Sequence, residues 1–318
     1  MRPLVSIVMP SFNAASHLDR SVGSVLAQDS SDWQLLIVDD GSTDDSWQQL
    51  GVLAARDPRI TVMRQSNAGA AAARNRGLDA ATGQLIAFLD ADDTWEPDFV
   101  SSMSAALLAH PEAGIAYCGW QNIGLGGGRD RPFVPPDYET DNKTDALLGG
   151  CRWPIHAALT RSELIRNAGN FDRTISSCED YGLWLRIGTE HALTLVPRVL
   201  AYYHHHGGEQ TTRNRARIAL DHWRVQQKYL LANPKAALEL GPRRVRELTL
   251  GELLHRGYTC YWQRDISAAR SIFRAVMKEG YGGMRDWLYM LPAWLPESWH
   301  RRLLSSRDGA APLSDGQR

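Results

Sequence analysis

The chain has 318 residues, 43% of them hydrophobic and 22% charged, enough for one large domain or a domain with a smaller appendage, which excludes global disorder. Cys118, Cys151, Cys178 and Cys260 form no CxxC pair, which argues against a zinc site or a disulfide framework, and no apolar window of about 18 residues offers a membrane-crossing helix. A net charge of −1 hides an asymmetry: residues 1–212 hold 16 Lys/Arg and 26 Asp/Glu (−10), whereas residues 213–318 hold 19 and 10 (+9).

An acidic first part suits a cation site, and a basic second part suits an anionic partner; the alternative is two surfaces that attract each other. The first apolar run is too short for a signal-peptide core, and a cytoplasmic protein is expected.

In chain order, Leu4–Met9, Leu35–Val38, Ile60–Met63 and Leu85–Leu89 read as buried strands. Helical patterns lie between them at Ala15–Ala27, Ser46–Ala55 and Ala70–Ala81. Such alternation predicts right-handed βαβ units and an α/β fold with a mainly parallel sheet. Ligands of these sheets bind beyond the carboxyl ends of the strands. Those positions read Pro10-Ser11-Phe12-Asn13, Asp39-Asp40-Gly41-Ser42 and Asp90-Ala91-Asp92-Asp93, so two clustered acidic turns flank one crevice. Asp44 and Asp45 read as helix caps. Gly119–Thr144, rich in Gly, Pro and Asp, is expected to be a mobile loop over the site. From Arg213 the pattern turns helical, at Arg215–Leu231, Pro242–Gln263 and Ile266–Glu279, the last two as a hairpin broken at Gln263–Asp265.

Alternate residues of an extended segment point the same way, so Asp90 and Asp92 could face one cation. Carboxylates suit Mg²⁺ or Mn²⁺, which also bind phosphate oxygens.

The ordered segments VSIVMPSFN (5–13), VDDGSTDDS (38–46), NAGAAAARNRG (67–77), FLDADD (88–93), GNFD (169–172), CEDYGLWLR (178–186) and YYHHHGGEQTT (202–212) carry a resemblance. Through them the chain resembles the family 2 glycosyltransferases, nucleotide-sugar-dependent inverting enzymes of GT-A fold. The resemblance implies a Rossmann-like mixed sheet over residues 1–212, with a nucleotide-sugar half to about 117 and an acceptor half from 118. A helical extension (213–280), a Trp-rich basic segment (281–304) and a disordered tail (305–318) would follow.

It implies that Pro10 and Asn13 line the nucleotide pocket and that Asp39 accepts a hydrogen bond from the base, with Asp40 ranked behind it. Asn67 and Gly69 would shape the turn before Arg74, which would reach the nucleotide or its diphosphate. Asp92 would be the metal ligand and Asp90 the carboxylate facing ribose or the metal's water. Asp180 falls on the general-base position, with Glu179 as runner-up. His206 aligns with a histidine that meets metal or diphosphate, and His204 replaces a customary arginine. Acceptor selection is expected from the Pro132–Tyr138 loop and from Arg152, Trp153, Pro154 and His156, with Trp153 as a sugar-stacking platform.

The implied donor is a UDP-sugar or another nucleoside diphosphate sugar, the cofactor a divalent metal, Mn²⁺ or Mg²⁺, and the acceptor a glycan or lipid-linked sugar, with no nucleic acid. Trp287, Trp294 and Trp299 with Met284, Leu288, Leu291, Leu295, Arg301 and Arg302 suggest a peripheral membrane contact, or a tail packed across the helical hairpin. Two other readings stand beside transfer. A nucleotidyltransferase would need a glycine-rich, basic signature after the first strand, where this chain reads PSFNAASHLDR. A non-catalytic sugar-nucleotide or glycan-binding module of the same fold would have no need of intact Asp90, Asp92 and Asp180.

Overall fold

The apolar runs around 5–9, 35–38 and 85–88 become strands buried on both faces, as parallel strands covered by helices require, and the run at 60–63 becomes an edge strand in which only Ile60 is fully buried. In the computed structural model, residues 3–126, 128–206 and 214–299 are described. β1 (Val5–Ser11), β2 (Trp33–Asp39), β3 (Ile60–Arg64) and β4 (Leu85–Phe88) alternate with α1 (Ala15–Leu26), α2 (Ser46–Arg56) and α3 (Ala70–Ala80). Val5, Ile7, Val8, Leu35, Ile37 and Ala87 are wholly buried. β1 lies between β2 and β4, parallel to both, with registers Ser11↔Asp39 and Val8↔Phe88. The strand order reverses there, which makes the carboxyl end of β1 a topological switch point.

The sheet continues through β5 (Thr94–Trp95), α4 (Phe99–Ala109), β6 (Ala113–Ile123), β7 (Pro132–Phe133), α5 (Lys143–Leu148), β8 (Ala158–Arg161), α6 (Ser162–Asn167), α7 (Glu179–Gly188) and β9 (Ala192–His204). Its order is β3-β2-β1-β4-β8-β6-β9-β5, with β7 on β6. β8 runs antiparallel to β4 and β6, and β9 parallel to β6, so β9 ends on the same rim as β4. This is the expected α/β arrangement of a mainly parallel mixed sheet flanked by helices.

Gly119–Thr144 is not one loop, contrary to expectation. β6 runs through Gly119 to Ile123, β7 occupies Pro132–Phe133, and α5 starts at Lys143. The cause is tertiary: β9 gives β6 a long partner (Trp120↔Ala201, Ile123↔His204), and β7 pairs with the same stretch. Gly119 permits this crowding, since a Cβ there would meet Phe133 O at 2.7 Å and Arg198 O at 3.0 Å.

The chain divides into two compact units, Met1–Gly208 and Glu209–Arg318. The second contains α8 (Arg215–Ala232), α9 (Pro234–Leu240), α10 (Pro242–Arg246), a π-helical turn (Glu247–Gly251), α11 (Glu252–Trp262), α12 (Ile266–Lys278), α13 (Met284–Met290) and a 3-10 turn (Leu291–Trp294). α11 and α12 form the expected hairpin. Arg264 adopts φ 64° at its bend, and Asp265 caps α12 by accepting from Ala268 N at 3.2 Å. Leu253, Tyr261, Ile272, Phe273 and Val276 form its core. Residues 300–304 of the Trp-rich segment and the expected disordered tail (305–318) lie outside the described residues. Among the described residues, no helix is long and apolar enough to cross a membrane.

Candidate active site

The loops after β1 and β2 are stitched to each other. Pro10 pairs with Val38 beyond the last β1–β4 register pair. Asn13 takes a left-handed φ of 47°. Its Oδ1 accepts from Thr43 N at 2.8 Å, while its own N–H donates to Ser42 Oγ at 2.9 Å.

Asp39 is fully buried. Arg64 Nε approaches its Oδ2 at 3.1 Å, yet neither carboxylate oxygen accepts a hydrogen bond among the described residues. A buried carboxylate left this bare is costly unless a ligand supplies a donor. Asp40 differs from expectation. Its oxygens accept from Ala68 N (2.9 Å), Gly69 N (2.8 Å) and Gln65 Nε2 (2.8 Å), so it shapes the turn before α3 and is not free for a base. Gly41 makes room for that turn, because a Cβ there would stand 2.8 Å from Asn67 N, and its φ is +75°. Asn67 itself is exposed on the turn.

Arg74, on α3, is the hub of the next layer. Its Nη2 donates to Asp90 Oδ1 and its Nη1 to Glu179 Oε1, each at 2.6 Å. Burial opposes the guanidinium's charge, but Asp90 and Glu179 more than offset it and raise its pKa above the ordinary value. Phe171 of the GNFD segment lies 5.6 Å from the guanidinium, and Asn75 fixes Phe171 through two 2.9 Å hydrogen bonds to its backbone. In this arrangement Arg74 bridges two carboxylates. Asp90 spends its Oδ1 on this contact, and its side chain stays 28% exposed at the acidic turn.

The tip of the acidic turn is held from α1. Arg20 Nη2 donates to Asp92 O and Ser21 Oγ to Ala91 O, each at 2.7 Å. The Asp92 carboxylate meets His206 Nε2 at 2.9 Å, and the His17 ring lies 4.4 Å from that of His206. The three consecutive histidines separate: His204 contacts Thr94 Oγ1 at 2.9 Å, His205 contacts Asn122 Oδ1 at 3.1 Å, and His206 turns to the acidic tip. Burial first, then the Arg20 charge, push His204 down to about 4.

Asp92 and His206 thus offer one oxygen and one nitrogen to a cation. No set of three metal-binding side chains is assembled among the described residues. Two protein ligands with remaining positions filled by phosphate oxygens and water fit Mg²⁺ or Mn²⁺ chemistry.

α7 begins at Glu179 after Cys178, whose φ of 63° turns the chain into the site. Burial, then the neighbouring Glu179 charge, push Asp180 up to about 6 against the opposing pull of Arg74. Glu179 is tied to Arg74, so Asp180 is the better-poised base of the two.

Two acceptor expectations fail. Trp153 is 2% exposed and stacks on Tyr117 at 4.5 Å, so it presents no face to a sugar. His156 is fully buried with its Nδ1 3.1 Å from Asp93 Oδ2, beneath the acidic turn.

Asp93 was visible in sequence only as the last acid of its run. Burial, its largest influence, lifts it to about 6 although His156 opposes the shift, and its Oδ1 accepts from His204 N at 2.9 Å. It thereby ties β9 to the acidic turn. Arg20 and His17 also escaped notice. Their signal was the i, i+3, i+4 spacing of His17, Arg20 and Ser21 on one face of α1.

Comparison with known proteins accords with this geometry. The profile described as "Glycosyl transferase family 2" matches residues 6–165. The chain is 30% identical over 217 residues, 67% of its length, to the O-antigen biosynthesis protein RfbC of Myxococcus xanthus, of which it spans 16%. It is 34% identical over 195 residues to the Escherichia coli UDP-Glc:alpha-D-GlcNAc-diphosphoundecaprenol beta-1,3-glucosyltransferase WfgD, covering 61% of this chain and 73% of that one. In fold it is similar to S. aureus TarS 1-349 (TM-score 0.63, 16% identity, 99% and 94% of the two chains). It is also similar to the mannosyltransferase PcManGT from Pyrobaculum calidifontis, solved with GDP-Man and Mn²⁺ (TM-score 0.56, 18% identity, 97% and 87%).

Proposed function

The chain belongs to glycosyl transferase family 2, and from that premise we propose that it is an inverting transferase of a hexosyl or N-acetylhexosaminyl group. The donor is a nucleoside diphosphate sugar, most simply a UDP-sugar. The acceptor is a hydroxyl of a glycan or lipid-linked sugar, in bacterial surface polysaccharide synthesis on the cytoplasmic face of the membrane. WfgD's name, with its UDP-glucose donor and diphosphoundecaprenol-linked acceptor, and RfbC's O-antigen role support this substrate class.

The observation that carries the reading is the buried Asp39 carboxylate at the switch point, ion-paired with Arg64 but accepting no hydrogen bond among the described residues, which a base N–H would satisfy. Pro10 and Asn13, at the carboxyl end of β1 and in the loop after it, would line the same nucleotide site. Asp92 and His206 would hold the divalent metal, Mn²⁺ or Mg²⁺, which when bound supplies positive charge to the departing diphosphate. The manganese in PcManGT supports that choice.

Asp180 removes the acceptor proton as the hydroxyl oxygen attacks the anomeric carbon and the bond to the diphosphate breaks on the opposite face. Inversion needs one base and no protein acid, unlike two-carboxylate hydrolysis. A base held near pKa 6 favours an enzyme over a binding module.

Donor hydrolysis tests the proposal. Mn²⁺-dependent UDP release, abolished by Asp92→Ala, is the expected result. Tight donor binding without release from any nucleotide sugar would replace the enzyme with the binding module.

A further inference from the structure

The segment from Met284 to Trp294 carries two apolar faces. Met290 and Ala293 are wholly buried in the α11–α12 core, with Trp287 packed against it. The opposite face is bare: Met284 is 86% exposed, Leu288 63%, Leu291 51% and Trp294 54%, followed by Trp299 at 60%. Met284, Leu288 and Leu291 fall at i, i+4 and i+7, one stripe on α13 and the turn that continues it. The inner face already anchors the segment, so the fold itself does not need the outer one. Contiguous exposed apolar groups of this size mark an interaction surface.

The charge around the stripe is cationic. Arg285 is exposed within it, and the Arg274 guanidinium lies 5.4 Å from the Trp294 ring while its Nε donates to Ala293 O at 2.8 Å. Of the two acids in this stretch, Asp286 is engaged by Gly283 N (2.7 Å) and Tyr258 Oη (2.8 Å), and Glu297 interacts with the Arg270 charge. The sequence from 213 onward carries the +9 excess noted above, and Arg301 and Arg302 follow the stripe in sequence. An apolar row with tryptophan at one end, arginine on its borders and a net +9 over residues 213–318 suits the headgroup region of an anionic bilayer.

We propose that this outward stripe docks the second unit on an anionic lipid surface, lying in the interface without crossing it. The proposal rests on the lipid-linked-acceptor reading only for its purpose, since docking would hold the transferase where such an acceptor resides. Packing on the hairpin, one of the two expectations for this segment, is seen on its inner face, and the proposal assigns the other, membrane contact, to the outer face.

The test uses the full chain sedimented with vesicles of phosphatidylcholine, with or without phosphatidylglycerol, and without donor. Wild type should co-sediment with the phosphatidylglycerol vesicles, more weakly at high salt, and scarcely with phosphatidylcholine alone. The combined variant Met284→Ser/Leu288→Ser/Leu291→Ser should partition about tenfold less or weaker still. Its Mn²⁺-dependent UDP release, measured without vesicles, should be unchanged. Equal partition of wild type and variant, or no wild-type binding, overturns the proposal. So does light scattering in which the variant dissociates a wild-type dimer, which assigns the face to a second copy. Binding that appears only after deletion of residues 300–318 assigns it to the chain's own end. Loss of UDP release with intact vesicle binding would instead count against the proposed function alone.

Discussion

Removing the Arg74 guanidinium is the most informative single perturbation of the site. In Arg74→Met the apolar stem stays, while the 2.6 Å contacts to Asp90 and Glu179 disappear. Each such contact is worth about 4 kcal/mol of attraction at an effective dielectric near 20, offset by the cost of burying the cation. What remains is worse than the absence of a pair, because Asp90, Glu179 and Asp180 are left together with no counter-charge. Breaking a buried pair from one side costs about 3–5 kcal/mol, which lowers the midpoint of a unit this size by roughly 6–20 °C. Thermal denaturation followed by circular dichroism reads this directly. A second readout separates electrostatics from packing. Arg74 holds Asp180 down, so its loss moves the acid limb of the pH–rate profile upward from about 6. Adding Glu179→Gln should restore part of both effects in a double-mutant cycle. An unshifted acid limb together with a melting point within a degree or so of wild type (a change of under about 0.5 kcal/mol) would refute the hub role of Arg74.

Asp180 must be unprotonated to accept a proton, so transfer should rise with pH through about 6 and then level off, and Asp180→Asn should cost about 10²-fold with donor affinity retained. The stability sign is opposite. A pKa raised from 3.8 to about 6 means that the folded state holds a proton the unfolded chain has lost, so this carboxyl's contribution to stability declines as pH rises across that window. An acid limb near the ordinary carboxylate value, or wild-type transfer by the Asn variant, argues for a different base. Trp153→Ala should destabilise by about 3–5 kcal/mol, measured by urea titration, and leave the acceptor KM of the remaining folded enzyme unchanged. A raised acceptor KM with unaltered stability would return Trp153 to the sugar site.

The half of the fold built from contiguous apolar runs was legible because β1, β2 and β4 are buried on both faces, and their composition says so. β6 and β9 were not. β9 has a mixed burial pattern, and its partner lies far away in sequence, so pairing alone turns Gly119–Ile123 from apparent loop into strand. At the site, residue type and rim position singled out the acidic turns that hold Asp39 and Asp92, while Asp180 was reached only through the resemblance. They could not distinguish Asp39 from Asp40, whose difference is whether backbone N–H groups consume the carboxylate. Nor could they show that His156 and Trp153 point inward, since a polar or aromatic side chain after a glycine-rich stretch reads equally well as rim or core. Among three adjacent histidines, the resemblance pointed to His206, and the end of β9 turns that ring onto Asp92.

Asp90, Asp92 and Asp93 sit within four consecutive positions, yet each carboxylate has its own addressee: Arg74, His206 and His156. The run is therefore wired position by position and does not act as a pool of negative charge. Moving an acid by one place, with the total unchanged, would deliver it to the wrong recipient. Variants that permute these residues at constant composition should behave as unlike one another as three separate knockouts do.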